Sequence, residues 1–180
     1  MAELSPLRRG RLHARFAQLD IDGNGYLEAG DYETLAQLLA DRLVSSAPER
    51  EAIRAGYAEH WRQLHTHADI DRDGRVNRDE YVAAMAAAAG DPEALDRAVL
   101  QTARAIMAAA DSDGDGFLDL ADYERLAELM RIRRPAESFR VLDADGDGRV
   151  SQEEIVAAVR AFYTSDDPAE AGNLVFGHID

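Results

Sequence analysis

Four twelve-residue segments of the chain repeat one order of oxygen-bearing side chains. Each segment places carboxylates or a carboxamide at the first, third and fifth positions, a glycine at the sixth and a carboxylate at the twelfth. A hard divalent cation takes roughly 6–8 oxygen ligands in such a loop, among them a backbone carbonyl at the seventh position and an oxygen or a water at the ninth. The pattern therefore indicates four cation-binding loops, numbered here in chain order.

The loops span residues 20–31, 69–80, 111–122 and 143–154. The predicted ligands are side-chain oxygens, except at the seventh position, where the backbone carbonyl would bind. In loop one they are Asp20, Asp22, Asn24, Tyr26, Glu28 and Asp31, and in loop two Asp69, Asp71, Asp73, Arg75, Asn77 and Glu80. In loop three they are Asp111, Asp113, Asp115, Phe117, Asp119 and Asp122, and in loop four Asp143, Asp145, Asp147, Arg149, Ser151 and Glu154.

The closing residue divides the loops. Loop four ends in Glu154, whose long arm can bind with both oxygens, whereas loops one and three end in Asp31 and Asp122, one methylene shorter. Binding through single carboxylate oxygens at about 2.0–2.1 Å suits Mg²⁺. We therefore expect a calcium-selective loop four and stronger Mg²⁺ competition at loops one and three, unless Glu28 or Asp119 compensates at the ninth position, directly or through water.

Internal charge sets loop two apart. It carries Arg72, Arg75 and Arg78 among its acidic residues, so its formal charge is −2, against −5 for loop three. Positive charges close to a divalent cation oppose its binding. We expect loop two to be the weakest site or to be empty.

Helical patterns flank every loop. Before loop one, Ser5 and Pro6 mark a helix start, and Leu12, Phe16 and Leu19 then fall on one face. An apolar residue stands at the eighth position of each loop and can pair two loops through a short antiparallel bridge. The predicted fold class is all-α, with eight helices around four loops, arranged as two paired lobes. The eighth-position residues are Leu27, Val76, Leu118 and Val150.

The chain is expected to divide into an N-terminal pair of loops (1–90), a C-terminal pair (91–163) and a tail (164–180). The break at 90–92 leaves no long central helix, which favours a compact body over two separate lobes. The tail regains apolar character at Leu174, Val175 and Phe176. Leaving these side chains in water is costly, so a tail that folds back over an apolar crevice is favoured over a disordered end.

With these loops in view, the chain resembles the EF-hand superfamily, and more closely the calerythrin and sarcoplasmic calcium-binding proteins. The likeness lies in four loops at this length, in the Asp-x-Asp-Gly-Asn-Gly start and aspartate end of 20–31, and in the stretch 138–162. It implies a compact all-α protein of two paired lobes that acts as a calcium buffer or signal modulator. The second hand is often degenerate in that group, whereas loop two here keeps every ligand position.

Composition restricts the partners. With 35 acidic and 20 basic residues, the formal net charge of −15 argues against nucleic acid and against anionic membranes. Cysteine is absent, and we find neither a secretory signal nor an apolar stretch long enough to span a membrane. We expect a cytoplasmic monomer. Five scattered histidines are interpreted as surface or packing residues rather than a zinc site: His13, His60, His65, His67 and His178.

The sequence is compatible with two functions, and neither is enzymatic, because every cluster of carboxylates belongs to a predicted metal loop. The first is an intracellular calcium buffer or transporter. The alternative is a calcium sensor that exposes an apolar surface to a regulatory protein target. Sensors expose methionine-rich grooves, and this chain has only four methionines, which favours the buffer.

Overall fold

The computed structural model describes residues 4–44 and 46–177. Within these ranges the chain is mostly helical, with two small sheets of two strands each. The N-terminal half contains α1 (Pro6–Leu19), β1 (Tyr26–Leu27), α2 (Ala29–Leu43), α3 (Ala47–Ala68), β2 (Val76–Asn77) and α4 (Arg78–Ala89). The C-terminal half contains α5 (Pro92–Leu95), a π-helical segment (Asp96–Leu100), α6 (Gln101–Ala110), β3 (Phe117–Leu118), α7 (Leu120–Leu129), α8 (Pro135–Leu142), β4 (Val150–Ser151), α9 (Gln152–Thr164) and a 3₁₀ turn (Ala171–Asn173).

The prediction of eight helices is confirmed for the described residues, because α5, the π-helical segment and α6 follow one another without interruption. The π-helical turn itself was not predicted. A helix together with its loop and the next helix is called a hand below. Hand one is α1 to α2, hand two α3 to α4, hand three 92–129 and hand four α8 to α9.

Local signals explain where the helices begin. The Ser5 hydroxyl accepts a hydrogen bond from the Arg8 N–H at 3.1 Å, and Pro6 is the first helical residue. Ser46 and Glu49 form the reciprocal capping box of α3. The Asp91 carboxylate caps α5 just after α4 ends. The break therefore falls at the position that the sequence indicated.

The short strands pair the loops as predicted. Leu27 lies opposite Val76, and Leu118 lies opposite Val150, both in antiparallel register. All four side chains are fully buried. Each bridge thus joins two loops at their eighth positions and covers the part of the core beneath the loops.

The two halves share one core instead of forming separate bodies. Helix α1 packs on α4 and α9, and α3 packs on α6. The Phe16 ring from hand one lies 5.8 Å from the Tyr81 ring of hand two, and both are buried in the same cluster as Phe162 of hand four. A compact arrangement, and not a dumbbell, is what the break between the halves predicted.

The tail folds back onto α1 and α9, as its apolar residues predicted. The Phe176 ring packs edge-on against Phe162 at 4.8 Å, and the Arg15 guanidinium lies over its other side at 4.1 Å. Gly172 lies so close to α9 that a Cβ there would be 2.4 Å from the Phe162 nitrogen. Only glycine permits this approach between the tail and the helix.

A fully buried arginine fixes the tail. Arg11 of α1 donates to the Ser165 carbonyl at 2.6 Å and to the Asn173 side-chain oxygen at 2.7 Å. It also donates to the carbonyls of Phe162 and Asp167, both at 3.2 Å. One side chain of hand one therefore satisfies the C-terminal end of α9 and holds the segment that follows it.

Candidate metal centre: four paired loops

Left-handed backbone at the fourth and sixth positions shapes every loop. The sixth-position glycines have φ between 86° and 89°. Without a Cβ, glycine adopts this conformation at little cost. The fourth position is also left-handed, and it is a glycine in loops one, three and four but Arg72, with φ 62°, in loop two. The three glycines at this position are a sequence signal that the prediction did not use.

The carboxylate at the first position of each loop accepts hydrogen bonds from backbone N–H groups of the same loop. In loop four, the Asp143 carboxylate accepts the N–H groups of Asp147 and Gly148, both at 3.0 Å. In loop one, Asp20 accepts the N–H groups of Asn24 and Gly25 at 3.0 and 2.9 Å. In loops two and three, Asp69 and Asp111 likewise accept the sixth-position N–H, and in loop three the second donor to Asp111 is the N–H of Gly114. These bonds turn the backbone around the carboxylate and direct the following side chains to the same side.

Oxygen atoms converge in all four loops, but not from the same positions. In each loop three carboxylates offer one oxygen each within 4.8 Å of one another. In loops two and three these three come from the first, third and fifth positions. In loops one and four the closing carboxylate joins the group: Asp20, Asp22 and Asp31 in loop one, and Asp143, Asp145 and Glu154 in loop four.

The closing carboxylate is held inward in three loops. Asp31 accepts the Ile21 and Glu28 N–H groups at 2.9 Å each. Glu154 makes the same two bonds, to Ala144 and Ser151, at 2.8 Å each. Glu80 accepts the corresponding N–H groups of Ile70 and Asn77 at 3.0 Å. Each bond pair spans the loop from its second to its ninth position and fixes the start of the following helix.

Loop three differs at this position. The Asp122 carboxylate forms an ion pair with the Arg125 guanidinium, one turn further along α7. The structure therefore separates Asp31 from Asp122, two residues that the sequence had placed in one class by their length. The remaining carboxylates of loop three converge as in loop two, with Asp111, Asp113 and Asp115 grouped together.

Basic side chains contact carboxylates of loops two, three and four. In loop two, Arg75 pairs with Asp73 at 3.1 Å, and His65 Nε2 lies 3.0 Å from Asp69. Arg149 of loop four lies 3.5 Å from Asp115 of loop three and 3.6 Å from Asp147. Among the described residues, no arginine or histidine contacts a carboxylate of loop one.

The seventh positions of paired loops are stacked. The Arg75 guanidinium of loop two lies 3.9 Å from the Tyr26 ring centre of loop one, and Arg149 of loop four lies 4.3 Å from the Phe117 ring centre of loop three. These four residues were predicted only as sources of a backbone carbonyl. Their side chains form a cation–π contact beside each β-bridge.

Hydrogen bonding and burial shift the closing carboxylates in opposite directions. Burial raises the pKa of Asp31, and the N–H donors of Glu28 and Ile21 only partly oppose it. Burial would also raise the pKa of Glu154, but the donors of Ser151 and Ala144 outweigh it, so this pKa lies below its ordinary value. The ionised form of Asp31 is therefore less well compensated by the protein alone than that of Glu154.

The donor set fits a hard cation. All the converging atoms are oxygens from carboxylates, and no histidine belongs to any of the four groups found among the described residues. His60, Tyr32, Tyr57 and Trp61 form an aromatic cluster between α2 and α3, consistent with packing roles. His178 lies outside the described residues.

Known proteins share these features. A family model described as EF hand matches residues 103–127 and 136–159, which contain loops three and four. Calerythrin of Saccharopolyspora erythraea is 24% identical over 160 residues, which cover 85% of this chain and 90% of calerythrin. The solved structure of a Streptomyces coelicolor calcium-binding protein has a TM-score of 0.75 at 29% identity, covering 89% of this chain and 99% of that one. A sarcoplasmic calcium-binding protein from amphioxus has the same fold, with a TM-score of 0.81 at 19% identity over 98% of this chain and 99% of its own.

Four carboxylate loops, each between two helices and paired through short bridges, define a calcium-binding helix–loop–helix protein. The resemblance predicted from the sequence is confirmed by these relatives. In its loops, sequence and fold the chain is similar to EF-hand calcium-binding proteins of the calerythrin and sarcoplasmic calcium-binding type.

Proposed function

We propose that the protein is a calcium buffer or transporter. The observation that carries this proposal is the tail, which lies on α1 and α9 and covers apolar side chains that a sensor would offer to its target. Buffering needs loops that bind and release the cation without a large opening of the helices.

The contacts of the tail support a closed state. Val175 is buried, and Phe176 packs against Phe162 and Tyr163 of α9. Gln18 of α1 donates to the Phe176 carbonyl at 2.7 Å, one turn beyond the contact of Arg15. A partner helix would have to displace all of these contacts to reach the same surface.

The methionines also support a buffer. Met85 and Met107 are buried, and Met130 packs against the core. In the described part of the chain there is thus no exposed methionine-rich groove of the kind that sensors use for varied targets.

A sensor remains the second candidate, and one observation favours it. The Streptomyces coelicolor relative is described in connection with prokaryotic calcium-mediated regulation, and it covers most of this chain. Regulation of that kind would require calcium to release the tail and open the apolar surface to a protein target.

The two functions differ in binding of a hydrophobic dye. For the full-length chain we expect no increase in 1-anilinonaphthalene-8-sulfonate fluorescence between chelator and saturating calcium. Deletion of 165–180 should create a dye site, because Phe162 and Tyr163 lose their cover. A calcium-dependent increase in the intact chain, reversed by chelator, would support the sensor instead.

The four loops should differ in calcium affinity, because their closing carboxylates and basic neighbours differ. We propose that the predicted residues of loops one and four bind Ca²⁺ most readily, since their closing carboxylates already join the oxygen group. Loop two is proposed as the weakest site, because Arg75 and His65 contact its carboxylates and Arg72 is strained. We propose that Mg²⁺ competes with Ca²⁺ more strongly at loops one and three, because both end in aspartate. Calorimetric titration of the Mg²⁺-loaded protein with Ca²⁺ measures this competition. Equal preference for Ca²⁺ over Mg²⁺ in all four loops would contradict the proposal.

The remaining proposals concern the whole chain. We propose that residues 1–90 and 91–163 each form a pair of hands, with 164–180 as the covering tail, and that the protein acts as a cytoplasmic monomer without enzyme activity. In support, EF-hand relatives are in general calcium-binding proteins without catalysis. Among the described residues, no helix combines the length and the apolarity that crossing a membrane requires.

A further inference from the structure

The ion pair between Asp122 and Arg125 withdraws one predicted ligand from loop three. Asp122 is almost completely buried, with 5% of its side chain exposed, whereas Arg125 is half exposed at 48%. The guanidinium therefore reaches down from the surface of α7 to a carboxylate that faces the protein. A buried carboxylate depends strongly on a partner, because water cannot compensate its charge.

Hand one provides a natural comparison. It also closes with an aspartate, Asp31, and its following helix also begins at the tenth position of the loop. Three residues after the closing aspartate, hand one has Thr34 and hand three has Arg125. The Thr34 hydroxyl donates a hydrogen bond to the Gly30 carbonyl and does not contact the Asp31 carboxylate.

The length of the side chain does not explain the difference, since both residues are aspartates. Asp31 nevertheless reaches the N–H groups of Ile21 and Glu28 and belongs to the oxygen group of its loop. Asp122 belongs to no such group. Two features distinguish the surroundings: Asp119 caps the N–H of Asp122, whereas Glu28 makes no such side-chain bond, and only Asp122 has an arginine paired with its carboxylate one turn along the helix.

The other hands agree with this interpretation. At the same position, hands two and four have Ala83 and Ala157. Their closing glutamates, Glu80 and Glu154, both accept the two N–H groups that span the loop. Hand three alone has a basic residue at this position and alone lacks this bond pair among the described residues.

We propose that Arg125 is an internal competitor for the closing carboxylate of loop three and lowers the calcium affinity of that loop. This inference rests on the proposed calcium-binding function of the loops. Binding of a cation with Asp122 as a ligand requires the carboxylate to leave the guanidinium, and Arg125 then needs another partner or water. An arginine cannot lose its charge near neutral pH, so this competition persists across the physiological range.

The consequence is a graded response within one pair of hands. Loop four has its closing glutamate in place, whereas loop three must first exchange an ion pair for a cation. Since β3 and β4 join the two loops, loop three would fill at higher free calcium than loop four. Salt should narrow the difference, because it screens the half-exposed ion pair.

The test uses Arg125→Gln, Thr34→Arg and Arg140→Gln in the full-length chain. Arg140→Gln is the charge-matched control, since that guanidinium donates to the Ala136 carbonyl of its own helix. Binding is followed by ¹⁵N–¹H spectra at free calcium concentrations fixed by a chelator buffer. The Gly116 and Gly25 N–H groups each donate to the first aspartate of their own loop, so their resonances report loops three and one separately.

We expect Arg125→Gln to raise the affinity of loop three about fivefold, the upper range for a half-exposed ion pair, and to leave loop one unchanged. Thr34→Arg should lower the affinity of loop one by a similar factor, and Arg140→Gln should change neither. An unchanged Gly116 response in Arg125→Gln, an equal gain in Arg140→Gln, or an unchanged loop one in Thr34→Arg would overturn the proposal.

Failure of the underlying function gives a different result. If no sixth-position glycine responds to calcium in any variant, the calcium-binding proposal itself fails. If the other glycines respond but Gly116 stays silent even in Arg125→Gln, calcium binding by the remaining loops stands and the role assigned to Arg125 is wrong.

Discussion

Hands one and three have nearly the same loop and opposite surroundings. Both loops have glycine at the fourth and sixth positions and aspartate at the twelfth. In hand one the aspartate is bonded into the loop, and the entering helix α1 is fixed to the tail by Arg11. In hand three the aspartate is paired with Arg125, and the entering helix follows a π-helical turn. Residues outside the twelve-residue motif, such as Arg125, therefore decide whether the closing carboxylate of a loop is already bonded into that loop.

The largest effect should come from Arg11, which anchors hand one. Replacing it in Arg11→Met leaves several buried carbonyls of α9 and the tail without a donor, and we expect a loss of about 3 kcal/mol in unfolding free energy. Urea unfolding at saturating calcium measures this loss. Calcium affinity should fall more at loop one than at loop three.

A matched control lies one turn earlier on α1. Arg8 donates a single bond from its Nε, to the Tyr163 carbonyl at 3.0 Å, and is less buried. Arg8→Met should therefore cost much less than Arg11→Met. Equal losses in the two variants would mean that Arg11 is not the anchor of the tail.

The second effect concerns the close approach of the tail to α9. In Gly172→Ala the added Cβ would lie 2.8 Å or less from backbone atoms of α9, so the tail must move away. We expect a loss of about 2 kcal/mol, the usual range for overpacking, together with new dye binding. Thermal unfolding and dye fluorescence measure the two consequences.

The control is Gly10→Ala, in the interior of α1, where a Cβ would meet nothing within 4 Å. Alanine has the higher helix propensity, so this variant should gain up to about 1 kcal/mol. A loss in both variants would show that the tail contact is not what makes Gly172 sensitive.

The smallest effect tests the packing of hand three against hand two. His60 of α3 lies against Thr102 of α6, with Nδ1 and Oγ1 3.1 Å apart. Burial, helped by the charge of Arg15, lowers the pKa of His60 to about 4. The folded state therefore disfavours the protonated imidazole, whereas the unfolded chain takes up its proton near the ordinary pKa of about 6.5.

Because the pKa of His60 is lower in the folded state than in the unfolded state, acid destabilises the fold. The contribution of His60 to stability is complete above about pH 6.5 and is lost as the pH falls toward 4, because the unfolded state then binds more protons. At pH 5.5 we expect His60→Gln to lose less stability than the wild type relative to pH 7.5, by on the order of 1 kcal/mol. Parallel pH profiles of the two proteins would contradict this assignment.

The sequence was informative where structure depends on neighbours along the chain. Sixth-position glycines, the caps at Ser5 and Ser46, and the eighth-position apolar residues each act within a few residues, and all four loops and both bridges lie where they were predicted. The break after Gly90 belongs to the same group. Short-range signals of this kind remain legible in a single sequence.

Contacts between distant segments could not be predicted in this way. Arg11 stands next to Leu12 on α1, and nothing in its spacing indicates that residues more than 150 positions later would bury it. The pairing of Asp122 with Arg125 is short in range, yet the sequence offers two partners for that carboxylate, the loop and the arginine. Only the packed helix shows which of them it contacts.

The contact between α1 and the tail has a topological consequence. Ser5 and Asp166 are hydrogen-bonded, so the two ends of the body are neighbours and the chain forms an almost closed ring. A circular permutant with its ends joined by a short linker and new termini at the exposed turn of Gly90 and Asp91 should keep the order of all helices in space. In that molecule hands one and four would become consecutive in the chain, and the tail would turn from a terminus into an internal loop.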